Sequence, residues 1–201
     1  MAYVVNLNLN ASPTLSETSP AWDNLNTLLF DGFVKENLKN SLGQSTGINF
    51  NVVRNFFGFN GEVGITTGNN SGAVPDNVMK TFYYIEFGDS SKFSLSGLPK
   101  TGVYNLVLFA GSIFNQQNNT VYSSQGKSVQ LNALNNTTQT VTLTNLVPDS
   151  TGTIVVGLKP TLGYGFLNSV TIQGMTSPAT IKDGNGNEPI LSRAEEEVVD
   201  V

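Results

Sequence analysis

The sequence predicts an all-β protein, a two-sheet antiparallel β-sandwich with a C-terminal extension, and three observations predict it. From Thr138 to Gly174 apolar and polar residues alternate in three successive runs. Those runs are rich in threonine, valine and isoleucine. Turn residues break them about every ten positions, at Val147-Pro148-Asp149-Ser150 and again at Pro160, Gly163 and Gly165. A side-chain period of two bounded by turn clusters is the mark of strands that bury one face and wet the other. Such a sheet needs a second sheet to cover it, and the rest of the chain must supply that layer.

At 201 residues with 39% apolar content, the chain is long enough for one large sandwich. Residues 1–175 are read as the β-sandwich and 176–201 as a polar arm. Only 12% of the residues are charged, about half the usual share. Asparagine, serine, threonine and glycine take their place, giving a surface that hydrogen-bonds more than it attracts ions. A net charge of −5 argues against nucleic acid, which rewards clustered lysine and arginine. No run approaches the apolar length of a membrane span, and Met1 to Asn6 lacks the basic start of a secretion signal. The expectation is a protein outside the membrane that reaches its place without that export route, or one whose signal has been removed. With no cysteine, the fold uses no disulfide.

Taken in order, Tyr3, Val5, Leu7 and Leu9 alternate with Asn6, Asn8 and Asn10 as a half-buried first strand. A Ser/Thr/Pro loop over 11–20 delivers Trp22-Asp23-Asn24-Leu25-Asn26. A short helix is expected over Phe33 to Leu42. Ile48 to Phe59 reads as a strand ending in the aromatics Phe56, Phe57 and Phe59, and Pro75 to Met79 as one helical turn. Thr81 to Phe87 and Lys92 to Leu98 are strands. Val103 to Phe114, the most apolar run, is read as a central strand covered on both faces. Val121-Tyr122 and Ser128 to Leu134 form a hairpin around Ser124-Gln125-Gly126-Lys127. With the opening stretch this makes about nine strands. Beyond Thr176 the chain turns Gly/Asn-rich at Asp183 to Asn187, then acidic and helical in pattern at Ser192 to Val201.

The order Phe93-Ser94-Leu95-Ser96-Gly97-Leu98, Val103-Tyr104-Asn105-Leu106, Gly126 to Leu131 and Gly163 to Ile172 resembles a jelly-roll domain. It is similar to the galactose-binding-like modules of Bacteroidetes surface and polysaccharide-degrading proteins, over about residues 2 to 174. Trp22-Asp23-Asn24-Leu25 is similar to an early Trp-Asn-Asn-Leu-type loop of that family. The resemblance implies a sandwich whose loops bind sugar at one end. It also admits a structural calcium, with no ligand set assigned; no other cofactor is expected. A fold does not fix a function.

Catalysis finds little support. Gly43-Gln44-Ser45-Thr46-Gly47 matches a nucleophile elbow and Gly88-Asp89-Ser90 another hydrolase motif, but each needs a general base, normally the histidine this chain lacks. A glycosidase needs two carboxylates, and the spacing of Glu36, Glu62, Asp76, Glu86 and Asp89 singles out no pair. With neither histidine nor cysteine, zinc and copper are not expected. Asp183 to Glu188 has oxygen groups spaced as in a calcium loop, but lacks its sixth-position glycine and twelfth-position acid, so a flexible linker is the better reading.

Sugar binding needs an aromatic face for C–H groups and amides or carboxylates for hydroxyls. The glycan-binding candidates are Trp22, Asp23, Asn24 and Asn26 with Tyr164 and Asn168, two groups that meet if the first and last strands are neighbours. The opposing reading makes Trp22 a core plug. Asn115, Gln116 and Gln117 at a loop tip point more weakly the same way. The reading reached is a non-catalytic adhesion or structural module. Its expected setting is a bacteriophage virion surface, as a capsid-decoration or fibre-type homo-oligomer whose arm docks on other virion proteins. The alternative is a carbohydrate-binding module at a bacterial cell surface or on a polysaccharide-degrading protein.

Overall fold

The computed structural model describes residues 3–19, 21–60, 64–114 and 116–175. The arm over 176–201, with its Asp183–Glu188 loop, lies outside the described residues, as do Glu62 and Asn115. The strands are β1 (Tyr3–Asn8), β2 (Trp22–Asn24), β3 (Val34–Lys35), β4 (Asn49–Arg54), β5 (Gly58–Asn60), β6 (Phe82–Ile85), β7 (Ser91–Ser96), β8 (Val103–Phe109), β9 (Asn119–Ser124), β10 (Lys127–Asn132), β11 (Val141–Leu146), β12 (Ile154–Leu162), β13 (Gly165–Leu167) and β14 (Ser169–Met175). One helical turn, α1 (Asp76–Met79), precedes β6.

The strands form a five-stranded sheet in the order β11-β8-β14-β1-β2 and a six-stranded sheet in the order β10-β9-β12-β7-β4-β3. The two face each other as the expected jelly-roll sandwich. The alternation read from sequence fills the space between them. Val5 and Leu7 of β1, Leu106 and Leu108 of β8 and Val170 and Ile172 of β14 come from one layer. Phe50, Phe93, Tyr122, Ile154, Val156 and Leu158 come from the other. Phe50 stacks on Phe93 at 5.2 Å and 28°, the diagonal contact that pairing Val52 with Phe93 creates. The β9–β10 hairpin turns on Gln125 and Gly126, both at positive φ, as a two-residue turn requires.

Four sequence expectations change. Residues 33–42 form no helix: Asn37 sits at φ +52°, Leu38 donates to the Ile48 carbonyl, and Lys39 bridges Ser45. Trp22 lies in a strand, and β2 pairs in parallel with β1, the single parallel ladder among the described strands. Strand β8 stops at Phe109, and its outward Val103, Asn105 and Val107 are only half-buried, so it is covered fully on one face. The Ile48–Phe59 run divides into β4 and β5, which belong to different sheets.

That division matters because β5 joins β6 and β13 in a third, three-stranded sheet at one end of the sandwich. Three buried side chains hang it there. The Tyr122 hydroxyl donates to the Phe166 carbonyl at 2.5 Å, and the Phe166 amide donates to Thr120 Oγ1 at 2.8 Å. Asn168, fully buried, gives its amide hydrogens to the carbonyls of Met79, Thr81 and Gly111 and accepts from the Gly111 amide. One side chain thus satisfies backbone groups from α1, the start of β6 and the segment after β8, none of which water reaches.

Removing that amide leaves several buried backbone groups unpaired. Asn168→Ala is expected to lower stability by roughly 3–5 kcal/mol, read from the urea midpoint. A loss under about 1 kcal/mol contradicts the role given to it.

Candidate glycan-binding face

The residues singled out in the sequence fall into two places. Trp22 is half-buried and packs with Ile65 against a satellite cluster of Val74, Val78, Met79 and Phe109. Its neighbours are engaged in holding β2 to β1. Asn8 donates to Asn24 Oδ1 at 2.8 Å and Asn10 to Asn26 Oδ1 at 2.7 Å, one rung above the other along the parallel pair. Asn24 also closes on both backbone groups of Glu17, and Asn26 Oδ1 accepts from Ser16. The Asp23 carboxylate accepts from the Lys39 amide, and burial pushes its pKa up despite that bond. First and last strands are indeed neighbours, since β1 pairs with β14. Yet Asn168 lies inside, and Tyr164 packs against the main core instead of the cluster that holds Trp22.

Tyr164 is the exposed-side member of a different constellation. With Glu86, Phe87, Gln116 and Gly163 it lines an open cavity of about 360 Å³ beside the small sheet. Phe87 is 68% exposed, an unusual position for a large aromatic. It lies two residues beyond the end of β6, in the turn that leads to β7, where no strand covers it. Glu86 is the sole ionisable carboxylate among the lining residues.

Two segments of this cavity's wall are fixed by Asn118, which is fully buried. Its Nδ2 donates to the Gln116 carbonyl at 2.6 Å, and its Oδ1 accepts from the Tyr164 amide at 3.1 Å. The Gln116 and Tyr164 segments of the opening therefore hang on one amide, with Glu86 and Phe87 supplied by the end of β6. Gly163 passes close by: a Cβ there would lie 2.4 Å from the Gln117 carbonyl, and its φ of +62° suits glycine. A second depression of about 340 Å³ is lined by Leu28, Phe30, Phe57, Phe59 and Tyr83 among others.

The carboxylates weighed for hydrolysis are otherwise occupied. Asp89 pairs with Arg54 at 2.5 Å on the surface. Asp76 accepts from the amide and hydroxyl of Thr67, both at 2.8 Å, and from the Asn70 amide. Burial alone would raise the Asp76 pKa, but those bonds hold it below the ordinary 3.8. Glu36 is exposed. Gly43 and Gly47, both at positive φ, belong to an exposed loop where Ser45 accepts from Asn37, with no helix following as an elbow requires. Among the described residues no group of three histidine, cysteine or acidic side chains is placed to hold a metal, and no helix is long and apolar enough to cross a membrane.

No protein-family model matches the chain, and no curated protein matches it. Several solved structures overlap it in part. A β-glucuronidase from Bacteroides uniformis shares 16% identity over 86% of this chain and 18% of its own, with a TM-score of 0.48. This chain therefore spans under a fifth of that enzyme. CBM35 from Cellvibrio japonicus Abf62 shares 19% identity over 59% of this chain and 89% of its own, at a TM-score of 0.37. TmCBM61, solved with β-1,4-galactotriose, shares 22% identity over 46% and 70%, at 0.23. Overlap at these levels says nothing about what an individual side chain does.

The Phe87 and Gln116 side of the cavity left a faint trace in the sequence. Gln116 stood at a polar loop tip, and Phe87 closed an aromatic run, but nothing local said that 84, 87, 116 and 164 converge.

A pH effect follows from the Asp76 bonds. A carboxylate whose folded pKa is depressed stabilises the fold above its unfolded value and loses that contribution as pH falls through the folded one. Asp149 acts in the same sense, held low first by the Thr151 hydroxyl and then by the amides of Thr153 and Thr151. The melting temperature is expected to fall as pH drops below 3.8, with a shallower fall in Asp76→Asn. An unchanged slope in that variant contradicts the assignment.

Proposed function

We propose that this protein is a non-catalytic glycan-binding module, holding a sugar against Tyr164 and Phe87. The observation that carries the reading is the composition of the cavity: two accessible rings, one amide and one carboxylate, with the Gln116 and Tyr164 segments fixed by a buried asparagine. The rings offer apolar faces to the C–H surface of a pyranose. The Gln116 amide spends one donor on a long 3.5 Å bond to Asn118 Oδ1 and keeps its oxygen and second N–H, and Glu86 accepts, which serves ligand hydroxyls. With one carboxylate and no histidine in the lining, the cavity does not carry the carboxylate pair that glycoside hydrolysis uses, and the chemistry supported best is adhesion. The proposed site moves from the Trp22 loop to Tyr164, because Asn24 and Asn26 already bond within the chain.

The setting proposed is the surface of a virion, with residues 176–201 docking on neighbouring proteins. A bacterial surface or polysaccharide-degrading protein suits the same charge-poor, amide-rich face equally. Detection of the chain in purified phage particles by mass spectrometry decides for the first, and its detection only on cell envelopes for the second.

The binding test is retention in a gel containing a neutral polysaccharide, screened over a panel of plant and bacterial polymers. Phe87→Ala is expected to lose retention while shifting the melting temperature by less than about 2 °C, as an exposed substitution should. Trp22→Ala is expected to keep retention while losing roughly 2–3 kcal/mol of stability through its packing on Val78 and Met79. Retention lost in Trp22→Ala with unchanged melting, and kept in Phe87→Ala, reverses the assignment.

A further inference from the structure

The cavity at Tyr164 is one end of a longer surface. Starting from Phe57, ring centroids follow one another at 5.7 Å to Tyr84, 5.8 Å to Tyr164 and 5.9 Å to Phe114. Phe57 is 57% exposed and Phe114 44% exposed, and the two tyrosines between them are half-buried. Phe57 lines the second depression and Tyr164 the first, and the Tyr84 ring, which lines neither, touches both of them. Four rings in a row, wet along one side, are costly to leave exposed unless something covers them.

What covers them is constrained by charge and by angle. Among the residues lining both depressions, Glu86 is the only charged group; the polar remainder is amide and phenol. An anionic polymer would meet one carboxylate and no cation. An apolar peptide or lipid would leave the Glu86 carboxylate and the Asn55 amide facing apolar groups. Successive rings are turned by 49°, 88° and 44°, so no flat face lies on all of them at once. A single polyhydroxylated chain that rotates from unit to unit meets each ring in turn.

From this we infer that the ligand is an internal stretch of an uncharged polysaccharide chain, lying across Phe57, Tyr84, Tyr164 and Phe114 over several consecutive units. The inference rests on the glycan-binding reading and adds its chain length and charge class. Tyr84 is the decisive ring because it joins the two halves. Its place depends on Gly58, which sits opposite it in the ladder. A Cβ at Gly58 would lie 2.8 Å from the Tyr84 ring, against the movable end of a side chain and not against backbone. Gly58→Ala therefore displaces the ring without removing it.

The experiment titrates the full chain, by calorimetry, with β-1,4-linked gluco-, manno-, xylo- and galacto-oligosaccharides of one to six units, and with oligogalacturonates of the same lengths. The expected result is affinity for at least one neutral series rising about tenfold from one unit to four and then levelling, with the uronates weaker at every length. Tyr84→Ala and Gly58→Ala are expected to flatten that rise while the shortest ligands bind as before, and unchanged circular dichroism shows that both variants fold. Affinity independent of length overturns the extended site and leaves single-sugar binding at Tyr164 standing. Preference for the uronates overturns the charge class. Binding of aromatic-rich peptides in place of every oligosaccharide overturns both this inference and the glycan reading beneath it.

Discussion

Everything at the exposed end of this molecule depends on how three buried side chains satisfy backbone groups around the small sheet, at Phe166 and at Met79, Thr81 and Gly111. The small sheet of β5, β6 and β13 pairs with neither large sheet, although its Phe82, Tyr83, Ile85, Phe166 and Leu167 pack into the main core. Tyr122 and Thr120 bond the two backbone groups of Phe166, and Asn168 bonds four groups from three segments. Burial pushes the Tyr122 phenol well above its usual pKa, so it stays a donor at any ordinary pH. In a dry interior each bond is worth more to keep than its net contribution in water suggests, because the unpaired alternative is so poor. The small sheet is therefore fixed, and with it the row of rings it carries.

The same economy explains the composition. A chain with so few charges must meet its buried polar backbone by other means, and asparagine does this repeatedly. Asn8 and Asn10 reach Asn24 and Asn26 along the parallel β1–β2 edge, Asn118 fixes the Gln116 and Tyr164 segments of the cavity, and Asn136 caps the carbonyls of Ala110 and Gln139. Much of the amide content that suggests sugar recognition is thus internal. What remains for a ligand is small in number: Gln116 and Glu86 beside Tyr164, with Asn55 farther along.

The sandwich was legible because burial on one face imposes a period of two, and Val5–Leu7, Leu106–Leu108 and Val170–Ile172 carry it openly. The hairpin at Gln125–Gly126 and the helical turn at Asp76 were legible from turn chemistry. Residues 33–42 misled because Val34, Leu38 and Leu42 share a helical spacing of four, while the φ of Asn37 and the bonds of Leu38 to the segment 46–48 are decided by distant chain. The site was only partly legible for the same reason. Tyr164 stood out, but its companions Tyr84, Phe87 and Gln116 come from segments dozens of residues apart, and no local pattern records their convergence. Trp22 drew notice as a lone tryptophan, and its place depends on α1, a contact invisible in sequence.

The central claim is that the rings of the small sheet, and not the Trp22 strand, form the working face. Nuclear magnetic resonance of the aromatic side chains tests it most directly, following ring and Gln116 side-chain signals during titration with a retained neutral oligosaccharide. The account predicts shifts at Tyr84, Phe87, Tyr164 and Gln116 while Trp22 and Asn24 stay still. Shifts concentrated at Trp22, Asp23 and Asn26, with the small sheet unmoved, would contradict it.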